Sequence, residues 1–172
     1  IDQKTTNKNP RSTVGTVTEI YDYLRLLFAR IGVPYCPKHH IPISSQSIEE
    51  MTNKLLELEE NTKIMIMSPV VKGEKGTGKE IFEKLRKEGY IRVKIDGEIK
   101  DLTLDLELEK NKKHNISVII DRLIIKEGIR SRLYSSLETA ANLAKGKVII
   151  DVIGGEPIVL SEEYACPYCN YS

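Results

Sequence analysis

All three cysteines of the chain sit in two short motifs of one design, Cys36-Pro37-Lys38-His39 and Cys166-Pro167-Tyr168-Cys169. A C-P-x-[C/H] turn presents two soft donors on one side of a compact loop, and a tetrahedral structural zinc takes one such pair from each of two turns. Cys36, His39, Cys166 and Cys169 therefore read as the ligands of one structural zinc, with no position left open for a water. His40 is an alternative to His39, although a ligand pair separated by two residues is the commoner spacing. A Cys166–Cys169 disulfide is the competing reading. It would strand Cys36, and the N-terminus lacks the charged-then-apolar layout of a secretory signal. Between His39 and Cys166 lie 126 residues, so a shared ion would clasp the chain ends and the stretch between reads as a domain inserted into a zinc module.

The elements that must position these ligands follow from periodicity and punctuation. Thr16 and Glu19 form a capping-box pattern opening a helix whose Val17, Ile20, Leu24, Leu27, Phe28 and Ile31 share one face, closed by Gly32 and Pro34. The composition shifts near Ile43. Ser47 and Glu50 make a second capping box, for a helix with Ile48, Met51, Leu55 and Leu58 inward. Residues 63–71 read as a strand, 77–88 as a helix stopped by Gly89, and 90–95 as a half-buried strand with Arg92 and Lys94 on its polar face. Asp96-Gly97 is a hairpin signal leading to a strand near Ile99. The alternation of Leu102, Leu104, Leu106 and Leu108 suggests another strand, 116–126 a central one broken by Asp121-Arg122, and 129–145 a helix before a strand at 147–153. Without a regular strand-helix-strand rhythm, the expected fold class is α+β: a mixed, largely antiparallel sheet with helices, inserted into a flanking helix plus zinc-knuckle module. The expected domains are 1–43, 44–161 and 162–172.

Bulk composition narrows the function. Lys and Arg outnumber Asp and Glu 26 to 25, so any nucleic-acid contact must be a local patch. No apolar run of eighteen residues is present, which excludes a membrane-spanning helix; a reducing, cytoplasmic setting is expected. The start at Ile1 without methionine is what a piece of a longer protein would show.

Gly73-Glu74-Lys75-Gly76-Thr77-Gly78-Lys79-Glu80 matches a phosphate-binding loop up to its last position. There a magnesium-binding hydroxyl is needed and Glu80 stands instead, aiming a carboxylate at anionic phosphates. A Thr77/Glu80 capping box with solvated Lys75 and Lys79 accounts for the same letters. The histidines are His39, His40 and His114, and none has a sequence partner that would build a catalytic triad, so no catalytic residue is assigned.

The run Ile1-Asp2-Gln3-Lys4 through Asn9-Pro10-Arg11-Ser12-Thr13-Val14-Gly15-Thr16, then Glu19-Ile20-Tyr21-Asp22-Tyr23-Leu24-Arg25-Leu26-Leu27-Phe28-Ala29-Arg30, resembles the bacterial UvrA family of damage-sensing ATPases in nucleotide excision repair. The likeness continues through Cys36-Pro37-Lys38-His39, Gly89-Tyr90-Ile91-Arg92-Val93-Lys94-Ile95-Asp96-Gly97, Lys113-His114, Asp121-Arg122 and Ala165-Cys166-Pro167-Tyr168-Cys169. The resemblance implies a UvrB-binding domain inserted into the first ATP-binding half, beside a zinc module, in a parent that is homodimeric, binds DNA, and uses ATP and magnesium. By the same resemblance Gln3 falls at the Q-loop glutamine, while the Walker A, signature and Walker B motifs are not within this chain, which is therefore expected not to hydrolyse ATP itself.

Two functions are in play. In the first, the chain docks UvrB, and Arg92 and Arg122 are the candidate contacts with Lys94 on the face of Arg92, because arginine pairs bidentately with a partner carboxylate. For Arg122 the local alternative is pairing with Asp121 or a neighbouring acid. In the second, the chain is a nucleic-acid-binding zinc domain, with Lys4 and Arg11, together with Lys8, contacting phosphates. Against it stand the balanced charge and the absence of tryptophan.

Overall fold

The structure, a computed structural model, describes residues 14–43, 45–164 and 166, apart from the side chains of Thr16 and Val17. It divides into two units, Ile1–Ile43 and Ser44–Ser172.

In the first unit, helices α1 (Val14–Val17) and α2 (Ile20–Ile31) replace the single capped helix expected from Thr16. The Thr18 hydroxyl bonds back to the Val14 carbonyl, a local competitor of helix propagation. Glu19 then takes φ 58°, in the left-handed region, and gives α2 no side-chain cap. The apolar stripe of α2 forms as the spacing predicts but is not buried: Leu24 is 43% and Ile31 70% exposed. Among the described residues nothing covers it. After Gly32 the chain folds back through an isolated bridge, Tyr35 to Pro42.

The second unit is an antiparallel sheet with helices on one face. Helix α3 (Ile48–Leu56) starts at the expected capping box: the Ser47 hydroxyl accepts from the Glu50 N–H, and the Glu50 carboxylate accepts from the Ser47 N–H. Strand β1 (Lys63–Lys75) runs into helix α4 (Lys79–Lys87), which is followed by the hairpin β2 (Arg92–Ile95) and β3 (Glu98–Asp101). Strand β4 (Lys113–Ile124), helix α5 (Arg130–Leu143) and strands β5 (Lys147–Val152) and β6 (Ile158–Ser161) complete it. The sheet order is β3-β2-β4-β1-β5-β6, and every pairing is antiparallel.

Three local expectations change. Helix α4 has Gly78, not Thr77, at its N-cap, at φ 75° and without a side-chain cap, so the Thr77/Glu80 box does not form. A Cβ on Gly78 would lie 2.6 Å from the Phe82 ring, which together with the positive φ makes glycine the residue that fits. Residues 102–108 form no strand, because their backbone groups are committed elsewhere. Thr103 N–H donates to the Asp101 carboxylate at 2.8 Å, Arg86 donates to the carbonyls of Leu102 and Leu104, and Leu108 N–H donates to Thr77 O at 3.0 Å. The alternating leucines are instead plugs of uneven depth, Leu102 buried and Leu104 exposed. Strand β6 has no counterpart in the expected elements. It pairs with β5 from Lys147↔Ser161 to Ile150↔Ile158.

The core lies on the helix-bearing face in two clusters, with half-buried Ile120 packed against both. Met51 and Leu55 of α3 and Leu133 and Leu137 of α5 meet Ile64, Ile66, Leu123, Val148 and Ile150. Farther along, Phe82 and Leu85 of α4 meet Val93, Ile95, Ile116 and Val118. Among the described residues of the second unit, no helix packs on the opposite face. Removing a core methyl cluster and removing a cap should therefore differ in scale: Leu55→Ala is expected to cost about 2–5 kcal/mol and Ser47→Ala about 1 kcal/mol in urea unfolding. Equal losses would mean that α3 is held by its cap as much as by its packing.

Candidate partner surface and metal half-site

Alternation along β4 decides the geometry of the helix-free face. Asp121 and Arg122 are neighbours, so their side chains leave the strand on opposite sides. Asp121 pairs in register with Ile66 and points into the helix face, where Arg132 of α5 donates to it from Nε at 3.0 Å and Nη2 at 2.8 Å. The Ser136 hydroxyl adds a bond at 2.8 Å and the Arg122 backbone N–H another at 2.7 Å. Burial pushes this carboxyl's pKa up, but the bonds from Arg132, Ser136 and the Arg122 N–H outweigh it and hold the group below the usual aspartate range. Arg122 is thus not paired with Asp121. Its side chain is exposed on the helix-free face, and no ion pair engages it among the described residues.

Arg92 and Lys94 of β2 share that same face, and Arg92 is exposed. The cross-strand partner of Arg92 is Asp101, whose carboxylate accepts from the N–H and the hydroxyl of Thr103 at 2.8 and 2.7 Å. Lys94 differs from the arginines. Its ammonium lies 2.6 Å from Asp151 Oδ2, with the two side chains only 27% and 22% exposed. On a flat sheet β2 and β5 would stand three strand spacings apart, roughly 14 Å, farther than lysine and aspartate reach together. The bond therefore requires a sheet that curls toward its bare face. The β1–β4 pair supplies the irregularities, with register shifts between Ile66 and Met67, Pro69 and Val71, and Lys72 and Glu74. The resulting hollow, about 400 Å³, is lined by Met67, Ser117 and Ile149 together with Lys94 and Asp151.

In the first unit the Cys36-Pro-Lys-His39 turn has the compactness its sequence implies. Cys36 N–H donates to Ile41 O at 2.9 Å, His40 N–H to Cys36 O at 2.8 Å, and Ile43 N–H to Pro34 O at 2.7 Å. The thiol is buried, and Cys36 Sγ lies 3.5 Å from His39 Nδ1. Two donors on one tetrahedral zinc, at about 2.3 Å for sulfur and about 2.05 Å for nitrogen, stand roughly 3.6 Å apart, so this pair fits the metal. Cys166 is also buried. Cys169, Gln3, Lys4, Lys8 and Arg11 lie outside the described residues.

The match that decides the family spans most of the second unit: a family model described as the UvrA interaction domain covers residues 46–154. The chain belongs to the UvrA interaction domain family. It is also 59% identical to UvrABC system protein A of Bacillus subtilis, 58% to that of Listeria monocytogenes and 56% to that of Lactococcus lactis, in each case over all 172 of its residues. Those alignments span 18% of each relative's length. No helix among the described residues is long and apolar enough to cross a membrane.

One feature of this UvrA interaction domain was not legible in its sequence. His114 and Asp96 lie 18 positions apart, and the β2–β3 turn, with Asp96 at φ 48°, brings them together. His114 Nδ1 sits 2.6 Å from Asp96 Oδ2 and Nε2 3.0 Å from the Glu109 carbonyl, while Asn115 N–H donates to Asp96 Oδ1 at 2.8 Å. With an acceptor facing each nitrogen, the imidazolium is the form that satisfies both. Hydrogen bonding to Asp96 and then to Glu109 raises the His114 pKa; hydrogen bonding from Asn115 and then His114 lowers that of Asp96. A raised histidine contributes stability that is complete below its unfolded value of about 6.5 and is lost as pH rises through the folded value. The lowered aspartate contributes above its unfolded value and is lost in acid. The thermal midpoint should therefore fall as pH is taken from 6 to 9, with His114→Gln flattening that slope. A slope unchanged in His114→Gln would assign the dependence to another group.

Proposed function

We propose that this chain is the UvrB-docking domain of a UvrA-type excision-repair protein, and that the helix-free face of its sheet is the docking surface. The observation that carries the reading is the commitment of Asp121 to Arg132 and Ser136, which leaves Arg122 exposed beside it on the opposite face. An arginine projecting from a rigid strand loses little freedom on docking, and its planar fork fits a partner carboxylate bidentately. Arg92, exposed on the same face, is the second contact. The family description and the naming of the relatives as UvrABC system proteins support a role in that system.

Charge reversal tests the surface. Arg92→Glu and Arg122→Glu should each weaken UvrB binding by about 1–3 kcal/mol, measured by titration calorimetry on protein whose circular dichroism is unchanged. Full UvrB affinity in both variants would sink the reading. So would tight, steeply salt-dependent binding of duplex DNA by a chain that ignores UvrB, which is the behaviour of a nucleic-acid module.

For the metal, we propose a structural zinc held by Cys36, His39, Cys166 and Cys169. It is supported by the 3.5 Å Cys36–His39 spacing and by the matching C-P-x-[C/H] design of the two motifs. The ion would supply folding energy and no reaction, because four protein donors fill its coordination sphere. Elemental analysis should find one zinc per chain, lost in Cys36→Ser and equally in Cys166→Ser. Retention of zinc in Cys36→Ser would remove the first motif from the site.

A further inference from the structure

Lys94 invites a role different from that of the two arginines. It is cationic and lies on their face, yet its ammonium is already bonded to Asp151 at 2.6 Å and both side chains are about three-quarters covered. A lysine so engaged makes a poor contact, because a partner carboxylate would first have to displace an acid that holds it at short range.

What Asp151 would do without Lys94 is set by the register. Met65 of β1 pairs with Arg122 of β4 on one side and with Asp151 of β5 on the other. The three residues therefore form one row on the helix-free face, with Arg122 and Asp151 two strand spacings, roughly 10 Å, apart at Cα. One arginine and one aspartate side chain together cover that span, and the curl of the sheet toward this face shortens it. The other acids around the two arginines are accounted for. Asp121 is held on the far side by Arg132 and Ser136, and Asp101 is hydrogen-bonded by Thr103 and lies across the strand from Arg92, not Arg122. Asp151 is the acid on the arginines' own face that lies in the row of Arg122, and Lys94 occupies it.

We infer that Lys94 is a positioning residue that sequesters Asp151 and so keeps the Arg122 guanidinium available to a partner's carboxylate. The inference rests on the docking reading above and adds to it a reason why Arg122 stays uncommitted. It also separates two roles that a contact map of the complex would merge. A direct contact loses its contribution whatever happens to Asp151, whereas a sequestering residue becomes dispensable once Asp151 can no longer attract an arginine.

The test is a suppressor cycle on the full chain, with UvrB affinity measured by titration calorimetry for Lys94→Ala, Asp151→Asn and the double variant, and folding checked by thermal midpoint. Lys94→Ala should bind UvrB about tenfold more weakly. Asp151→Asn alone should bind at least as well as the parent, and the double variant should recover to within about twofold of it. In an Arg122→Ala background Lys94→Ala should add little, because the arginine it protects is gone. The inference is overturned if the double variant stays as weak as Lys94→Ala, which would make Lys94 a contact, or if Lys94→Ala binds normally. Arg122→Glu is the control for the underlying reading. No effect there sinks the docking surface and this inference with it, while a loss there without suppression sinks this inference alone.

Discussion

The pairing of β1 with β4 is the constraint from which the rest of the second unit follows. It runs from Lys63↔Ile124 to Lys75↔Lys113, down the middle of a sheet in which β2 is added to β4 and β5 to β1, with β3 and β6 outside them at the edges. Because side chains alternate across a strand, this register fixes which residues meet the helices and which do not. Ile64, Ile66 and Leu123 go to the core with α3 and α5, and Met65 and Arg122 go to the other side. A slip of one residue would exchange the two sets, burying Arg122 and exposing Leu123. The hydrophobic cost of that exchange pins the arginine to the bare face. Packing between helices and sheet thus decides the chemistry of a surface that the helices never touch.

The same pairing explains why the sheet curls. Three shifts of register leave Val70 and Gly73 of β1 and Ile120 of β4 unpaired between the two strands, and such bulges bend and twist the strand that carries them. Curvature brings Lys94 of β2 to Asp151 of β5 across two intervening strands. It also closes the hollow over Met67, which is how a methionine on the helix-free face comes to be only 3% exposed. A flat sheet of the same sequence would leave that thioether in water and the ion pair unmade.

What could be read from the chain in advance divides along a physical line. Features set by neighbours in sequence were legible. The Ser47/Glu50 box forms as written, the Asp96-Gly97 turn makes the β2–β3 hairpin, and Ile48, Met51 and Leu55 of α3 are buried as their periodicity implies. Features set by competition for backbone groups were not. The leucine alternation after Asp101 has the period of a strand, but Arg86, Thr77 and the Asp101 carboxylate take its hydrogen bonds first. Thr77 was an adequate cap by residue type, yet Phe82 packs so closely over position 78 that a glycine there begins the helix. Among the surface residues, Arg122 is conspicuous as a cation in an otherwise apolar strand and Arg92 as part of the cationic face of an alternating one. The partners that distinguish Lys94 from them, Asp151 and the curl that delivers it, are 57 residues away and leave no local trace.

The distribution of acids on the two faces is how a chain with almost no net charge would present a cationic surface. Charges that are neutralised locally contribute little beyond a Debye length of about 8 Å at physiological salt, so what a partner senses is the unpaired remainder. On the helix side Asp121 is neutralised by Arg132; on the bare side Asp151 is neutralised by Lys94, while Asp101, hydrogen-bonded by Thr103, keeps its charge and tempers that of Arg92 across the strand. Had Arg122 been paired internally, docking would exchange one carboxylate for another and the Coulomb gain would cancel. An uncommitted guanidinium exchanges only water for the partner's carboxylate, and the full charge-assisted bond then appears as affinity. The balance of 26 basic and 25 acidic side chains is therefore compatible with a selective cationic face, because selectivity depends on which acids are already occupied and not on how many there are.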